Sequence, residues 1–152
     1  MKFYTIQWWC GIQSGDASDP MDAFREYLDS IRDRLPSDLL VLQDSVSLHD
    51  AQMHLLSHDA SHATLTLTLH GDDGSGGLRV FTLLYHGVVT HRFSSDPDVG
   101  LPGPNGFGDL GYDEPDVLSD DLFQHRLLFS SGIELQVDFS DFKLEYQDHR
   151  GG

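Results

Sequence analysis

Residues 62–89 read HATLTLTLHGDDGSGGLRVFTLLYHGVV, and this stretch decides the fold class. Its first part alternates apolar residues with threonine, which is typical of a strand that has one face in a core and the other toward solvent. The glycine- and aspartate-rich segment 71–77 predicts a hairpin connection. Residues 78–89 are apolar on both faces, as expected for a central strand. The stretch therefore predicts antiparallel strands that lie side by side in a sheet.

Further strands are predicted toward the C-terminus, where residues 122–129 and 133–139 flank a Ser-Ser-Gly turn. The second of these segments alternates cleanly between apolar and polar residues. A last short strand is predicted over residues 142–146. These segments extend the predicted antiparallel sheet to about five or six strands.

A helix is predicted over residues 20–34, where apolar residues recur at helical spacing. Asp19 is a suitable N-cap and Pro20 fits the first helical position. We therefore expect an α+β fold in which the sheet packs one face on this amphipathic helix. The pattern of residues 2–9 fits either a strand or a short first helix.

Composition limits the partners that the chain can have. The chain has 152 residues, which predicts a single domain over residues 1–152, and its formal net charge is −16. Such a charge repels phosphate groups, so neither a nucleic acid nor an anionic membrane is expected as a partner, whereas a basic protein is favoured. Cys10 is the only cysteine, and no segment has the length of a membrane-spanning helix, so we expect a cytoplasmic protein.

The histidine-rich stretch LHDAQMHLLSHDASH, residues 48–62, has two interpretations. On a helix, Asp50, His54 and His58 would share one face at steps of ~6 Å and could ligate zinc. On a strand they would also share a face, but four residues span ~13 Å, which is too far for one metal ion. We favour a strand over about residues 46–57 that pairs with residues 63–70. The strand predicts exposed, solvated His54 and His58 and no metal site.

Residues 94–116 are rich in glycine, proline and aspartate and predict a long loop. Carboxylates on such a loop could hold calcium, although their spacing matches no EF-hand. The loop acids are Asp96, Asp98, Asp109, Asp113, Glu114 and Asp116. We favour a solvated acidic loop without strand pairing, whose last three acids contact a partner.

Two further sites contain titratable residues. His125 lies on the same predicted strand face as Phe123 and Leu127, so it is interpreted as a hydrogen-bonded core residue, while Arg126 faces the other way and can pair with an acid. His49 and Asp50 are neighbours, which on a strand point to opposite faces and cannot act together.

Three segments carry a resemblance to a known family. They read SLHDAQM at 47–53, YDEPD at 112–116 and FQHRLLFSSGIELQVDFSDF at 123–142. This pattern resembles that of a family of small uncharacterised bacterial proteins, and it covers roughly residues 36–145. The resemblance implies an α+β fold and a strand that runs on from the LHDA segment, and it assigns no activity.

Two functions follow from these patterns. The favoured one is a non-enzymatic acidic interaction protein, of the immunity or adaptor type, that binds a basic protein without a cofactor. Its candidate contacts are Asp113, Glu114, Asp116, His49, Asp50 and His125. The alternative is a metal-binding or small-ligand protein, with or without enzymatic activity, that uses these histidines and acids and takes zinc or calcium.

Overall fold

The computed structural model describes residues 1–15, 19–96, 98 and 106–149. The helices are α1 (Ile6–Ser14), α2 (Met21–Ile31) and α3 (Ser37–Asp44), and a 3₁₀ turn (Arg32–Arg34) follows α2. The strands are β1 (Gln52–Asp59), β2 (Thr64–Asp72), β3 (Leu78–His86), β4 (Thr90–Ser94), β5 (Leu110–Ser119), β6 (Leu122–Phe129), β7 (Glu134–Phe139) and β8 (Asp141–His149). The chain is therefore α+β, with its helices before its strands.

The strands form two four-stranded antiparallel sheets. Sheet A has the order β1-β2-β3-β8, and sheet B has the order β4-β7-β6-β5. The alternating leucines of β2 are fully buried, which confirms that they face a core. The rings of Tyr85 on β3 and Phe139 on β7 lie 5.0 Å apart, so the sheets pack face to face around one core.

The helices α2 and α3 lie where β5 and β8 form the edges of the two sheets. Helix α2 contacts β5 and α3 contacts β8. The buried residues of α2 are Phe24, Leu28 and Ile31, as its apolar spacing predicts. The Asp38 carboxylate on α3 accepts a hydrogen bond from the Leu144 backbone at 2.9 Å, which ties α3 to the edge strand β8.

The first apolar segment is a helix, which settles the alternative that its pattern leaves open. Thr5 caps α1, because its side-chain oxygen accepts a hydrogen bond from the Trp8 amide at 3.1 Å. The helix ends at Gly15, which adopts the left-handed conformation with φ 81°. No helix in the described ranges is long and apolar enough to cross a bilayer.

The predicted class is confirmed, but the predicted architecture is wrong in two respects. Among the residues that the structure describes, two sheets with eight strands replace the predicted single sheet of five or six strands. The helix predicted over 20–34 is α-helical only over Met21–Ile31, and Pro20 is its N-cap residue while Asp19 accepts a hydrogen bond from the Met21 amide at 2.8 Å. Strand β4 escapes prediction because five residues give too little periodicity.

The predicted loop over residues 94–116 is also wrong at its C-terminal end, because β5 begins at Leu110. Residues 97 and 99–105 of that loop lie outside the described residues. Strand β5 contains Pro115, which cannot donate a backbone hydrogen bond, and the strand accommodates it at the edge of sheet B. Residues 110–119 thus form a strand despite their Gly, Asp, Glu and Pro residues. The edge position tolerates proline, and buried partners pair with the acids.

Candidate functional site

Residues Gln52–Asp59 of the histidine-rich stretch form strand β1, which confirms a strand that pairs with the next one, although it begins six residues later than the predicted range 46–57. His54 and His58 are both exposed, as predicted. They do not share a face, however, because the register shifts between Met53 and Leu55. This β-bulge lets the His54 ring stack on His70 of β2 with a centroid separation of 3.5 Å, whereas His58 contacts His91 of β4 at 4.4 Å.

The metal alternative of Asp50, His54 and His58 is wrong for the same reason. Asp50 lies in the turn before β1, and the two histidines face different neighbours. In the part of the chain that the structure describes, no group of three or more His, Cys, Asp or Glu could hold a metal ion. The described residues therefore provide no candidate site for zinc or calcium.

The two histidine pairs make stability depend on pH. Burial first, and then the neighbouring His54, lower the pKa of His70 below 6.5; burial and His58 do the same for His91. A histidine with a lowered folded pKa stabilises the fold above the unfolded pKa, and this stabilisation is lost as pH falls through 6.5 toward the folded pKa.

We expect the free energy of unfolding to decrease on acidification from about pH 7.5 to 5.5, and to decrease less in the variants His70→Gln and His91→Gln. Urea unfolding over this range measures the effect. His62→Gln is the control, because the His62 side chain is 76% exposed on a turn and pairs with Asp59 rather than with a histidine. Identical slopes in the unmodified protein and both strand variants would contradict the prediction.

Glu114 and Asp116 are buried, so the prediction that they are exposed loop contacts is wrong. Glu114 is fully buried and accepts hydrogen bonds from the backbone amides of Lys2, Phe3 and Tyr4 at 2.8–3.0 Å. It therefore fixes the segment before α1 against β5. Its carboxylate is also 3.3 Å from the guanidinium of Arg126 on β6.

Asp116 completes this buried ionic cluster. Burial by itself raises the pKa of Asp116, but hydrogen bonds from Lys2, Tyr27 and Arg126 outweigh it and lower the pKa to about 2. Burial and the hydrogen bond to Asp116 raise the pKa of Tyr27 to about 12. The prediction that Arg126 faces an acid is confirmed, since its Nη1 lies 3.1 Å from Asp116. Glu114 and Asp116 therefore stabilise the fold.

His125 is fully buried and hydrogen-bonded, as predicted. Its Nε2 lies 2.6 Å from Asp113, and its Nδ1 lies 2.6 Å from the Tyr85 hydroxyl. Because a carboxylate only accepts, Nε2–H donates to Asp113, and in a neutral ring Nδ1 then accepts from the Tyr85 hydroxyl. Gln43 of α3 donates to the same Asp113 oxygen at 2.7 Å. These hydrogen bonds link both sheets to α3. His125 and Tyr85 are fully buried and do not contact solvent.

His49 and Asp50 lie in the turn before β1, so the prediction that a strand sends them to opposite faces is wrong. Their side chains are 3.5 Å apart, and Asp50 adopts a positive φ of 65°. The His49 Nδ1–H donates to the Gly111 carbonyl at 2.8 Å. The turn is thereby attached to β5 beside Tyr112, whose ring lies 5.7 Å from that of His49.

Tyr112 is the centre of a groove that sequence reasoning missed. The aromatic groove, with a volume of about 300 Å³, is lined by Tyr4, Trp8, Ile12, Asp19, Met21 and Tyr112. Tyr4 stacks on Tyr112 with ring centroids 4.7 Å apart and planes at 7°, and Trp8 meets Tyr112 edge-on at 5.2 Å. Its residues are far apart in the chain; the signal was the density of aromatic residues in FYTIQWW, residues 3–9.

Negatively charged carboxylates lie near the rings of the aromatic groove. Burial, followed by the charge of Asp19, raises the pKa of Tyr4 to about 12. Burial raises the pKa of Tyr112, and the charges of Asp19 and Asp50 add to the increase. Two separate carboxylates therefore act on the rings of one groove. Such a surface can bind a ligand that combines apolar groups with positive charge.

No known protein family matches this chain, and no curated protein is significantly similar to it.

Proposed function

We propose that this protein is a non-enzymatic acidic interaction protein, of the immunity or adaptor type, that binds a basic protein through the aromatic groove and its acidic surroundings. The observation that carries this proposal is the groove itself, an apolar aromatic surface with Asp19 in its wall. Binding energy in protein interfaces is concentrated in pockets with aromatic side chains, and surrounding charges select the partner and accelerate association.

The distribution of charge supports a basic partner. The chain has 25 acidic residues and 9 lysines and arginines. Five of these basic residues already pair with acids of the chain: Lys2, Arg32, Arg34, Arg79 and Arg126. Asp22 and Glu26 are exposed on α2, and Asp50 is exposed beside Tyr112. Together with Asp19 in the groove wall, these acids outnumber the exposed Arg25 of α2, so the charge of α2 and of the groove wall is negative, which argues against nucleic acid and anionic lipid.

The proposed contacts differ from those that the sequence favoured. Glu114, Asp116 and His125 are buried, and the Asp113 carboxylate is hydrogen-bonded to Gln43 and His125 within the fold. These four residues are therefore replaced by Asp19, Asp22 and Glu26, which are exposed. His49 and Asp50 stay among the proposed contacts, since the turn that carries them adjoins Tyr112.

A small-ligand function is a second candidate. The groove volume of about 300 Å³ is at the lower end of the range for small-molecule sites. A cationic amphiphile of low molecular weight has the same chemistry as a basic side chain and would be recognised by the same rings and carboxylates.

Association kinetics test the proposed function. The protein is used as bait in a lysate of its native cells, and the captured protein is purified for stopped-flow measurements. We expect a basic protein whose association slows as salt rises, because the Debye length falls from ~10 Å at 0.1 M to ~3 Å at 1 M. The paired change Asp22→Asn and Glu26→Gln should slow association several-fold at low salt only.

The matched control is the pair Asp141→Asn and Glu145→Gln, which removes the same charge from exposed positions on β8. If both pairs slow association equally, the association rate depends on the net charge and not on where the charge lies. An association rate that responds to neither salt nor substitution would contradict the proposed function.

A further inference from the structure

The walls of the aromatic groove are held in place before any partner binds. Tyr112 contacts four rings: those of Tyr4, Trp8, Trp9 and His49. Trp9 packs directly on Gly111, where a Cβ would collide with its ring. A fixed aromatic surface loses little conformational entropy on binding, which favours its use as an anchor site.

The rim of the groove is apolar, and its wall is charged. Ile12 and Met21 are 40% and 41% exposed although they are large apolar residues. Asp19 is oriented by the hydrogen bond that it accepts from the Met21 amide. Arg25 also acts on Tyr4 and lowers its pKa, but it lines the neighbouring groove between α2 and α3. The aromatic groove thus combines apolar contacts for an aliphatic chain with a carboxylate for a cation.

We infer that the aromatic groove takes the side chain of an arginine from the basic partner, and this inference rests on the proposed function. The methylene groups pack on Ile12 and Met21, and the guanidinium meets Asp19 and the rings of Trp8 and Tyr112. Arginine is favoured over lysine because its planar guanidinium stacks on aromatic rings and is more weakly hydrated than an ammonium group.

Tryptophan emission provides the measurement. The chain contains two tryptophans, Trp8 and Trp9, and both contact Tyr112. The probe is N-acetyl-arginine methylamide, titrated at constant ionic strength. Its lysine counterpart and its citrulline counterpart, which has a neutral head of nearly the same shape, are titrated in parallel. We expect a saturable change for the arginine probe and binding about tenfold weaker for the citrulline probe.

Two variants locate the response. Asp19→Asn removes the charge but keeps a side-chain oxygen that can accept from the Met21 amide, so it should weaken binding of the arginine probe several-fold without unfolding α2. Ile12→Lys adds a competing cation at the rim and should weaken it as well. The control Glu145→Gln, on exposed β8, should bind the probe like the unmodified protein.

Equal affinity for the arginine and citrulline probes would overturn the inference, and so would equal affinity for arginine and lysine or an unchanged affinity in Asp19→Asn. These failures differ from a failure of the proposed function. If the inference alone fails, a basic protein is still captured in a salt-sensitive manner. If the proposed function alone fails, no such protein is captured while the groove still selects the arginine probe.

Discussion

Arg126→Met is expected to lower the free energy of unfolding by about 3–5 kcal/mol, because it removes the buried cation that pairs with both Glu114 and Asp116, and only Asp116 keeps a second cation, Lys2. Arg126 is 3% exposed, and Glu114 and Asp116 are 0% and 3% exposed. Isolated charges in such surroundings are costly, whereas the removal of an exposed partner costs little. Urea unfolding at neutral pH measures the difference.

The same substitution should change the acid limb of the stability profile. With a folded pKa of about 2, Asp116 stabilises the fold above its ordinary pKa of 3.8, and this contribution is lost as pH falls through about 2. Without Arg126, the Asp116 carboxylate still accepts hydrogen bonds from Lys2 and Tyr27, but it loses the hydrogen bond and the charge of the guanidinium. In Arg126→Met the folded pKa should therefore lie closer to 3.8, so that less stability is lost on acidification and the loss is complete at a higher pH.

Arg92→Met is the matched control, since Arg92 is exposed on β4 and donates to Gln136 at 3.0 Å. Its cost should stay within about 0.5 kcal/mol. If the two arginine variants lose similar stability, the cluster of Arg126, Glu114 and Asp116 does not hold the fold together as described.

Phe139→Ala is expected to cost about 3–5 kcal/mol, because the removed ring leaves a cavity between the sheets. Phe139 is fully buried. Its ring lies 5.0 Å from Tyr85 and 6.1 Å from Phe142, both on sheet A, and 6.1 Å from Phe123 on sheet B. The cavity therefore removes contacts within one sheet and across both.

Phe93→Ala provides the comparison on the same sheet. Phe93 is 44% exposed and contacts Phe107 at 5.5 Å, so its loss should cost less than half as much. Chemical denaturation with both variants gives the two values. Similar costs would mean that the sheets do not pack around Phe139 as they do in this structure.

Local patterns predict the parts of the fold in which burial alternates along the chain. The leucines and threonines of β2 and the apolar residues of β7 give the correct faces. The same logic places His125 in the core and Arg126 toward acids, and both predictions are confirmed. These residues are predictable because a strand sends neighbouring side chains to opposite faces.

The buried acids could not be predicted from local pattern. Glu114 is stable in the core because amides of residues 2–4 and Arg126 surround it, and the amides are more than 100 positions away in the chain. A segment with Asp, Glu and Pro is typical of a loop unless such partners exist. The β-bulge at His54 likewise changes which side chains of β1 share a face, and the sequence contains no marker for it.

The aromatic groove was missed for a related reason. Tyr4 and Tyr112 meet only because β5 binds the segment before α1. The sequence does show unusual aromatic density near residue 8, but density alone does not tell a core from a binding surface. The expectation of a basic partner, in contrast, rests on the net charge of −16, which can be counted without a structure.

The pairing of β3 with β8 has a consequence for biosynthesis. All four strands of sheet B lie between these two partners in the chain. A growing polypeptide can therefore assemble the β1–β3 meander early, yet β8, which completes sheet A, leaves the ribosome only after all four strands of sheet B. Until then, the β3 edge and the apolar side of α3 lack their cover, and this nascent intermediate is the stage at which we expect aggregation or chaperone binding.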